Sequence, residues 1–365
     1  MKGEILREKF ERAARHASRM VSKHPSLPVL GCVLLETKKS TLSIRSTNID
    51  ISFEALIPAK IEREGIMAVQ GGALTSFLSG VTSTAISFEG KPGGFALQGG
   101  NTRATLKIFP HDDFPSFTAP REYTHTFSVA EVVAGLKSVL YASSPSSVRP
   151  ELGSIYIFSE NSSMVFVATD SFRLAEKRIV PHKPSSFPPT LVPVKNASEL
   201  LRILLEAEGD ACVLSSGEGQ FAAFANGMSF ISRTLEGSFP DYKQIIPKEA
   251  ETTVTALKDD MAKALQLASA LSEKSNQVSL TVPEKERELV LSVKNAEVGE
   301  GVSRIQASVN GKPFEASFNA RYLSDCLGAI NESSITLSFA GAGKPLLISG
   351  AGSAGFRYIV MPMNR

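Results

Sequence analysis

LREKFERAARHASRM (residues 6–20) carries apolar side chains at positions i, i+4, i+7 and i+11, which lie on one face of a helix. The same spacing returns in SVAEVVAGLKSVL (128–140) and in TALKDDMAKALQLA (255–268), each time about 125 residues further on. The three sets are Leu6, Phe10, Ala13 and Ala17; Val129, Val133, Leu136 and Leu140; and Leu257, Met261, Ala264 and Ala268. Each set predicts an amphipathic helix, and the regular offset predicts an internal repeat.

Two further markers share this offset. A shorter apolar stripe, with spacing i, i+3, i+4 and i+7, occurs at Leu74, Phe77, Leu78 and Val81; at Ala197, Leu200, Leu201 and Leu204; and at Leu323, Cys326, Leu327 and Ile330. A proline follows or closes a strand-like run at Pro115, Pro240 and Pro362. We therefore predict three similar copies of one module, at residues 1–122, 125–247 and 251–365.

Between the predicted helices the hydrophobic period changes from helical to alternating. NIDISFEA (48–55), TLSIRS (41–46) and FRYIV (356–360) alternate apolar and polar residues, which is typical of half-buried antiparallel strands. Glycine-rich stretches such as EGKPGG (89–94) separate the strands and predict hairpin turns. Each copy is therefore predicted to be an α+β module with two helices on an antiparallel sheet.

Helix starts are predicted at four polar residues that suit N-caps. Ser128 with Glu131 has the spacing of a capping box, and Asn196 with Glu199 is similar. Thr255 and Asn319 are the expected N-caps of the last two helices.

Composition limits the classes of function. Of 365 residues, 39 are Lys or Arg and 37 are Asp or Glu, so a formal charge of +2 excludes a protein that coats nucleic acid by bulk charge. Three well-separated cysteines without CxxC spacing argue against a disulfide framework or a zinc cluster, and fit a reducing compartment. The sequence shows no signal-like or membrane-spanning apolar run, so we expect a soluble, cytoplasmic protein with no membrane partner.

The first predicted helix has a basic face opposite its apolar stripe. Arg12, Arg15, Arg19 and Lys23 share this face, with only Glu8 and Glu11 to offset them. A solvated helix surface is the ordinary explanation for such charges, but an excess of this degree in a near-neutral protein favours a polyanion. Milder basic excess occurs on the other predicted helices, at Lys137, Lys195, Arg202, Lys258, Lys263, Lys274 and Arg321. Together these residues predict a distributed surface that faces phosphates without reading sequence.

Catalytic motifs lack their required context. Gly350-x-Gly352-x-x-Gly355 matches a dinucleotide-binding pattern, but only ten strand-like residues follow it, so a hairpin is the better interpretation. No nucleophile, metal-ligand or phosphate-loop constellation stands out. The enzyme hypothesis that stays open is a hydrolase using turn carboxylates such as Asp112, Asp113 and Asp170, which would have to converge in one cleft.

Four segments carry a family resemblance: SLPVLGCVLLET (26–37), VATDSFRLAE (167–176), EGSFPDYKQIIP (236–247) and YIVMPMNR (358–365). In this order and over essentially the full length, the chain resembles the bacterial DNA polymerase III beta subunit, the sliding clamp. The resemblance implies a non-catalytic homodimer that closes a ring around duplex DNA, with helices inside and sheets outside. It also implies no cofactor and no metal. The implied partners are the replicative polymerase alpha subunit, the clamp loader, and other replication and repair proteins.

The resemblance further implies three sets of functional residues. A hydrophobic pocket for a partner peptide would comprise Leu152, Thr169, Ser171, Phe172, Arg173, Leu174, Pro240, Ile245, Asn319, Tyr322, Ile359, Met361, Pro362 and Met363. Residues facing DNA would be Arg12, Arg15, Arg19, Lys23, His24, Arg149, Lys195 and Arg202. The dimer interface would join Arg103, Leu106, Lys107 and Ile108 to Ala270, Leu271, Glu297 and Glu300 of another copy.

The chain departs from the family's usual pattern at the pocket. Ser171-Phe172 stands where Gly-His is common, which predicts a more apolar pocket and a changed motif preference. Pro150-Glu151 replaces aromatic residues of relatives, so that Arg149 is the better candidate there for a DNA contact. These departures keep open an alternative function, that of a duplicated clamp-like scaffold with a specialised partner.

Overall fold

The structure is a computed structural model, and it describes residues 1–22, 27–144, 148–180, 186–272, 275–284 and 287–363. Elements of the first copy are β1 (Lys2–Leu6), α1 (Arg7–Arg19), β2 (Cys32–Lys38), β3 (Thr41–Thr47), β4 (Ile51–Arg63), β5 (Gly65–Gln70), α2 (Gly71–Gly80), β6 (Ala85–Lys91), β7 (Gly94–Gly99), β8 (Thr102–Leu106) and β9 (Ile108–Phe109). Those of the second are β10 (Tyr123–Ser128), α3 (Val129–Val139), β11 (Ser154–Glu160), β12 (Ser163–Thr169), β13 (Arg173–Ile179), β14 (Thr190–Pro193), α4 (Val194–Leu205), β15 (Ala211–Gly217), β16 (Gln220–Ala225) and β17 (Met228–Arg233).

The third copy continues the same plan. Its elements are β18 (Thr252–Leu257), α5 (Lys258–Leu271), β19 (Gln277–Val282), β20 (Glu288–Asn295), β21 (Gly299–Gly311), β22 (Phe314–Asn319), α6 (Ala320–Asp325), β23 (Ser334–Phe339), β24 (Leu346–Gly350) and β25 (Phe356–Val360). The predicted α+β class is confirmed. No helix among the described residues is long and apolar enough to cross a membrane.

Contacts divide the chain into two compact units. Unit 1 comprises Met1–Val129 with Arg202–Thr234, and unit 2 comprises Ala130–Leu201 with Leu235–Arg365. In the described part of unit 1, thirteen antiparallel strands form one sheet with the main order β10-β15-β16-β17-β4-β1-β6-β7-β8. In that of unit 2, twelve strands follow the order β14-β11-β12-β13-β25-β24-β23-β18-β21-β20-β19-β22.

Strand pairing continues from one copy to the next within each sheet. In unit 1, β17 of the second copy pairs with the first half of β4, with Ile231 opposite Ser52. In unit 2, β25 of the third copy pairs with β13, with Ile359 opposite Leu174. Backbone groups that would otherwise form an open sheet edge are therefore hydrogen-bonded at both junctions.

The helices bury most of the predicted apolar stripes. Phe10, Ala13 and Ala17 of α1 are at most 4% exposed, and α1 also contacts α2 through a hydrogen bond of 2.8 Å between Ser18 Oγ and Thr75 Oγ1. Leu6 is 55% exposed, and the corresponding Leu257 is 52% exposed. These two leucines end the preceding strand, so they precede the buried helical face rather than begin it.

Two of the four predicted N-caps are wrong. Thr255 lies inside β18, because the strand continues to Leu257 before α5 begins. Asn196 lies within α4, which begins at Val194. The helix after Ser128 does begin at Val129, as predicted. Asn319 is confirmed as a cap, since its side chain accepts hydrogen bonds from the backbone N–H groups of Arg321 and Tyr322.

Candidate partner pocket and nucleic-acid interface

A tight turn between β12 and β13 presents the centre of the predicted pocket. The Thr169 hydroxyl donates to the carbonyl oxygen of Arg173 at 2.6 Å. Asp170 Oδ1 accepts the N–H groups of Phe172 and Arg173, each at 3.0 Å. Ser171 has a φ of 79°, in the left-handed region that glycine favours. The hydrogen bonds hold this unfavourable backbone in place, and Phe172 projects from it with 61% of its surface exposed.

Arg173 ties the turn to other elements of unit 2. Its guanidinium donates to Asp170 at 2.9 Å, to Asp325 of α6 at 2.5 Å and to the Tyr141 carbonyl at 2.6 Å. It also lies 4.3 Å from the centre of the Tyr322 ring. Because two carboxylates compensate the charge, Arg173 acts here as a positioning residue that packs the pocket wall.

The segment that follows β25 is held beside the turn by two backbone hydrogen bonds. The Met361 N–H donates to the Phe172 carbonyl, and the Met363 N–H donates to the Ser317 carbonyl, both at 2.8 Å. Met361, Pro362 and Met363 are half-buried, so this terminal segment is anchored by its backbone while its side chains partly face solvent. Methionine suits a surface that accepts varied apolar partners.

Two of the predicted pocket residues belong to an apolar cluster within unit 2. Leu174 and Ile359, each 1% exposed, pack with Tyr242, Phe158 and neighbouring aromatic rings. The buried Tyr242 hydroxyl donates to Glu176 at 2.6 Å, and Glu176 also pairs with Arg178 at 2.8 Å. This network fixes the segment after Pro240, and burial raises the pKa of the Tyr242 hydroxyl, which stays protonated.

A groove of about 460 Å³ continues from Met361 along this segment. Ile245, 42% exposed, lines it together with Pro247 and Pro345. Its charged lining residues are Lys248, Lys344 and Glu249.

The structure brings most of the predicted pocket residues together. Thr169, Ser171, Phe172, Arg173 and Tyr322 share direct contacts, and Met361 joins them through Phe172. Asn319 caps the helix that carries Tyr322. Leu152 is buried at 4%, and its carbonyl accepts the N–H of Ser144. Sequence reasoning missed Tyr141 and Asp325, because their contacts with Arg173 are long-range and leave no local pattern.

The basic face of α1 is less positive than the sequence indicated. Arg12 donates to Glu208 at 2.7 Å, and Arg15 donates to Glu206 at 2.5 Å. Both carboxylates follow α4 within unit 1, so they compensate the helix in addition to Glu8 and Glu11. The expectation that only those two glutamates offset the arginines was wrong, because the compensating residues are distant in sequence.

The electrostatics of this cluster are consistent with the pairing. The hydrogen bond from Arg12 lowers the pKa of Glu208. His16 is 2% exposed, and burial lowers its pKa in spite of the Glu206 carboxylate 3.3 Å from Nε2. His16 is therefore neutral near pH 7 and adds no positive charge to the face.

The other predicted DNA-facing residues differ in their surroundings. Arg149 pairs with Glu151 at 3.0 Å, so the acid that the sequence placed there compensates it. Lys195 is exposed on α4. Arg19 and Arg202 each take part in a non-covalent interaction with another group, so neither is unpartnered. Lys23, His24 and Lys274 lie outside the described residues.

The predicted dimer residues lie on or beside β8, at the start of β21 with the turn before it, and at the end of α5. Among the described residues β8 pairs only with β7, and Arg103, Lys107 and Ile108 on or beside it are exposed. β21 pairs with β20 along residues 299–306, whereas β18 covers its other side along residues 307–311. Glu300 is exposed, and Glu297 in the preceding turn and Ala270 near the end of α5 are exposed as well; Leu271 is half-buried.

Nothing in the described residues supports the hydrolase hypothesis. Asp112 and Asp113 are exposed in a turn, and Asp170 is committed to the turn and to Arg173. No group of three or more potential metal ligands occurs in the described part of the chain. Gly350, Gly352 and Gly355 lie at the β24–β25 hairpin, as predicted.

A threefold α+β repeat with sheets that continue across the junctions and an apolar pocket at the last junction defines a clamp-type protein. Profiles of the DNA polymerase III beta subunit match consecutively: the N-terminal domain at residues 1–118, the central domain at 127–241 and the C-terminal domain at 243–364. The chain belongs to this family of sliding clamps, which are non-catalytic subunits of the polymerase.

Individual relatives agree along the whole chain. The beta sliding clamp of Caulobacter vibrioides (strain NA1000 / CB15N) is 28% identical over 374 residues, covering 100% of both chains. The Bacillus subtilis sliding clamp structure has a TM-score of 0.93 at 23% identity, covering 100% of this chain and 99% of that one. A Pseudomonas aeruginosa clamp bound to griselimycin has a TM-score of 0.94 at 24% identity, covering 100% of both.

Proposed function

We propose that this protein is a processivity clamp: a head-to-tail homodimer encircles duplex DNA without sequence specificity and tethers partner proteins through the pocket of unit 2. The partners we propose are the replicative polymerase alpha subunit, the clamp loader, and repair or replication proteins that carry a clamp-binding peptide. A cytoplasmic location fits the three cysteines, which are unpaired and buried.

The pattern of strand pairing carries the proposal. The last strand of the second copy pairs with the first copy, and the last strand of the third copy pairs with the second. The last long strand of the first copy, β8, and the first half of β21 in the third copy each lack such a neighbour among the described residues. Pairing β8 with the partner's β21 would satisfy both edges by the same rule, and two such contacts would close a ring.

The junctions within the chain also predict the register of this contact. Ser52 faces Ile231 at one junction, and Leu174 faces Ile359 at the other. The equivalent pair would be Thr105 and the partner's Glu300. Arg103 and Lys107 would flank it, and Leu106 and Ile108 would supply the apolar contact. Exposed ion pairs contribute little to stability, so the apolar contact and the backbone hydrogen bonds should dominate closure.

Retention on closed circular DNA tests the ring. The loaded protein should stay on circles at high salt and leave after a single linearising cut, because threading survives the screening that weakens phosphate contacts. Loss from intact circles as the salt concentration rises would contradict encirclement.

Pocket variants test tethering separately. Replacing Met361 and Met363 by Asp should abolish binding of the polymerase alpha subunit while retention on circular DNA persists. Retained polymerase binding would show that the pocket is elsewhere.

The alternative, a clamp-like scaffold with a specialised partner, is favoured by one observation. Phe172 exposes an aromatic ring on a strained turn at the pocket rim, which alters the surface offered to a peptide. A pull-down with the cell's replicative polymerase separates the two functions: capture supports the replicative clamp, and capture of a different partner alone supports the scaffold.

A further inference from the structure

Unit 1 contains a second copy of the turn that presents Phe172. The Thr47 hydroxyl donates to the Ile51 carbonyl at 2.9 Å, and Asn48 Oδ1 accepts the N–H groups of Asp50 at 3.1 Å and Ile51 at 2.9 Å. Ile49 has a φ of 80°, matching Ser171. The Arg233 N–H donates to the Asp50 carbonyl at 2.9 Å, as the Met361 N–H does to Phe172. The junction between the first two copies therefore repeats the turn and its backbone contact to the neighbouring segment.

A cleft of about 330 Å³ lies beside this second turn, entirely within unit 1. Ile49, Pro115, Phe117 and Ile231 give it apolar walls. Ile49 is 50% exposed although a β-branched residue is disfavoured at this φ. The cleft thus offers apolar surface to solvent at a position where the backbone conformation alone would favour glycine.

Charge distinguishes this cleft from the groove of unit 2. Its charged lining residues are Asp50, Glu218 and Arg233. With two carboxylates and one guanidinium, the lining of the cleft has a net negative charge. The groove of unit 2 has the opposite balance, with Lys248 and Lys344 against Glu249.

We propose that the unit 1 cleft binds an extended peptide segment of a partner protein in which large apolar residues alternate with lysine or arginine. The apolar walls suit the apolar side chains, and Asp50 and Glu218 suit the basic ones. This inference depends on the proposed function in one respect: it assumes that the predicted pocket of unit 2 is a peptide-binding site. The two sites would select peptides of opposite charge on one chain.

Two matched peptides test the proposal by nuclear magnetic resonance. The full-length protein, labelled at isoleucine δ1 methyl groups, is titrated with acetyl-Lys-Leu-Lys-Leu-Phe-amide and with acetyl-Glu-Leu-Glu-Leu-Phe-amide. Ile49 and Ile231 report on the cleft, and Ile245 reports on the groove of unit 2. The lysine peptide should shift the cleft signals saturably, and the glutamate peptide should bind there about 10-fold more weakly.

A neutralised variant provides the control. Replacing Asp50 by Asn and Glu218 by Gln keeps both side-chain shapes, and should remove the preference for the lysine peptide while other methyl signals stay in place. Stationary Ile49 and Ile231 signals, equal response to both peptides, or an unchanged preference in the variant would overturn the proposal. An unresponsive Ile245 would instead count against the peptide pocket of the proposed function, whatever the cleft does.

Discussion

Releasing the α1 arginines from their carboxylate partners should strengthen direct DNA binding. The variant carries Glu206→Gln and Glu208→Gln, which removes the negative charges that pair with Arg15 and Arg12 while keeping side-chain size. These ion pairs are exposed and contribute little to folding, so the structure should persist. If both arginines then contact phosphates, each protomer displaces about two more counterions from DNA.

The magnitude follows from counterion release. Two additional phosphate contacts steepen the slope of log K against log salt by about 1.8 per protomer. Between about 50 and about 200 mM salt, the affinity of the variant should therefore fall about 12-fold further than that of the unmodified protein for each protomer that contacts the duplex. Fluorescence anisotropy with a short labelled linear duplex measures both slopes.

A control variant separates the effect of where the removed charges lie from the effect of the change in net charge. Glu62→Gln with Glu89→Gln changes the net charge equally, but these glutamates pair with Lys2, and with Arg63 and Lys91, rather than with α1. The control should leave the slope close to that of the unmodified protein. Parallel slopes for the α1 variant, or equal steepening in the control, would refute the idea that Glu206 and Glu208 restrain a DNA-facing surface.

Three further predictions concern stability, each read from thermal unfolding. Tyr242→Phe removes a donor from the buried Glu176 and should cost about 1–3 kcal/mol; an unchanged midpoint would show that the network is not stabilising. His16 has a lowered pKa, so the unfolded chain binds more protons than the folded one below about pH 6.5, and the free energy of unfolding should decline as the pH falls through that range. The His16→Gln variant should lack this decline. Equal pH profiles of the two proteins would exclude His16 as its source. At Gly311, φ is 128° and an added Cβ would lie 2.2 Å from a backbone carbonyl oxygen, so Gly311→Ala should lower the unfolding midpoint. Gly93 has open space where a Cβ would be added, so the control Gly93→Ala should leave the midpoint unchanged.

Periodicity was enough to predict the repeated architecture. Helical stripes such as Phe10, Ala13 and Ala17 are local patterns, and burial of one face follows directly from them. Strand alternation likewise predicted the α+β class. The errors at Thr255 and Asn196 concern element ends, where strand pairing rather than capping preference decides the boundary.

The pocket was predictable only in part. The resemblance placed Thr169, Arg173 and Met361 in one site, and the structure brings them together. It did not reveal that Asp325 compensates Arg173. Nor did it show a second turn of the same geometry at Thr47, since Asn48-Ile49-Asp50 shares little sequence with Asp170-Ser171-Phe172.

The sequence by itself determined which segments repeat, which faces are apolar and which family the chain resembles, because these properties depend on residue order and spacing alone. Only the tertiary structure decided how charges cancel and which strand edges stay open. Arg15 and Glu206 are remote along the chain yet 2.5 Å apart in space, and a Coulomb interaction depends on that distance, not on sequence separation.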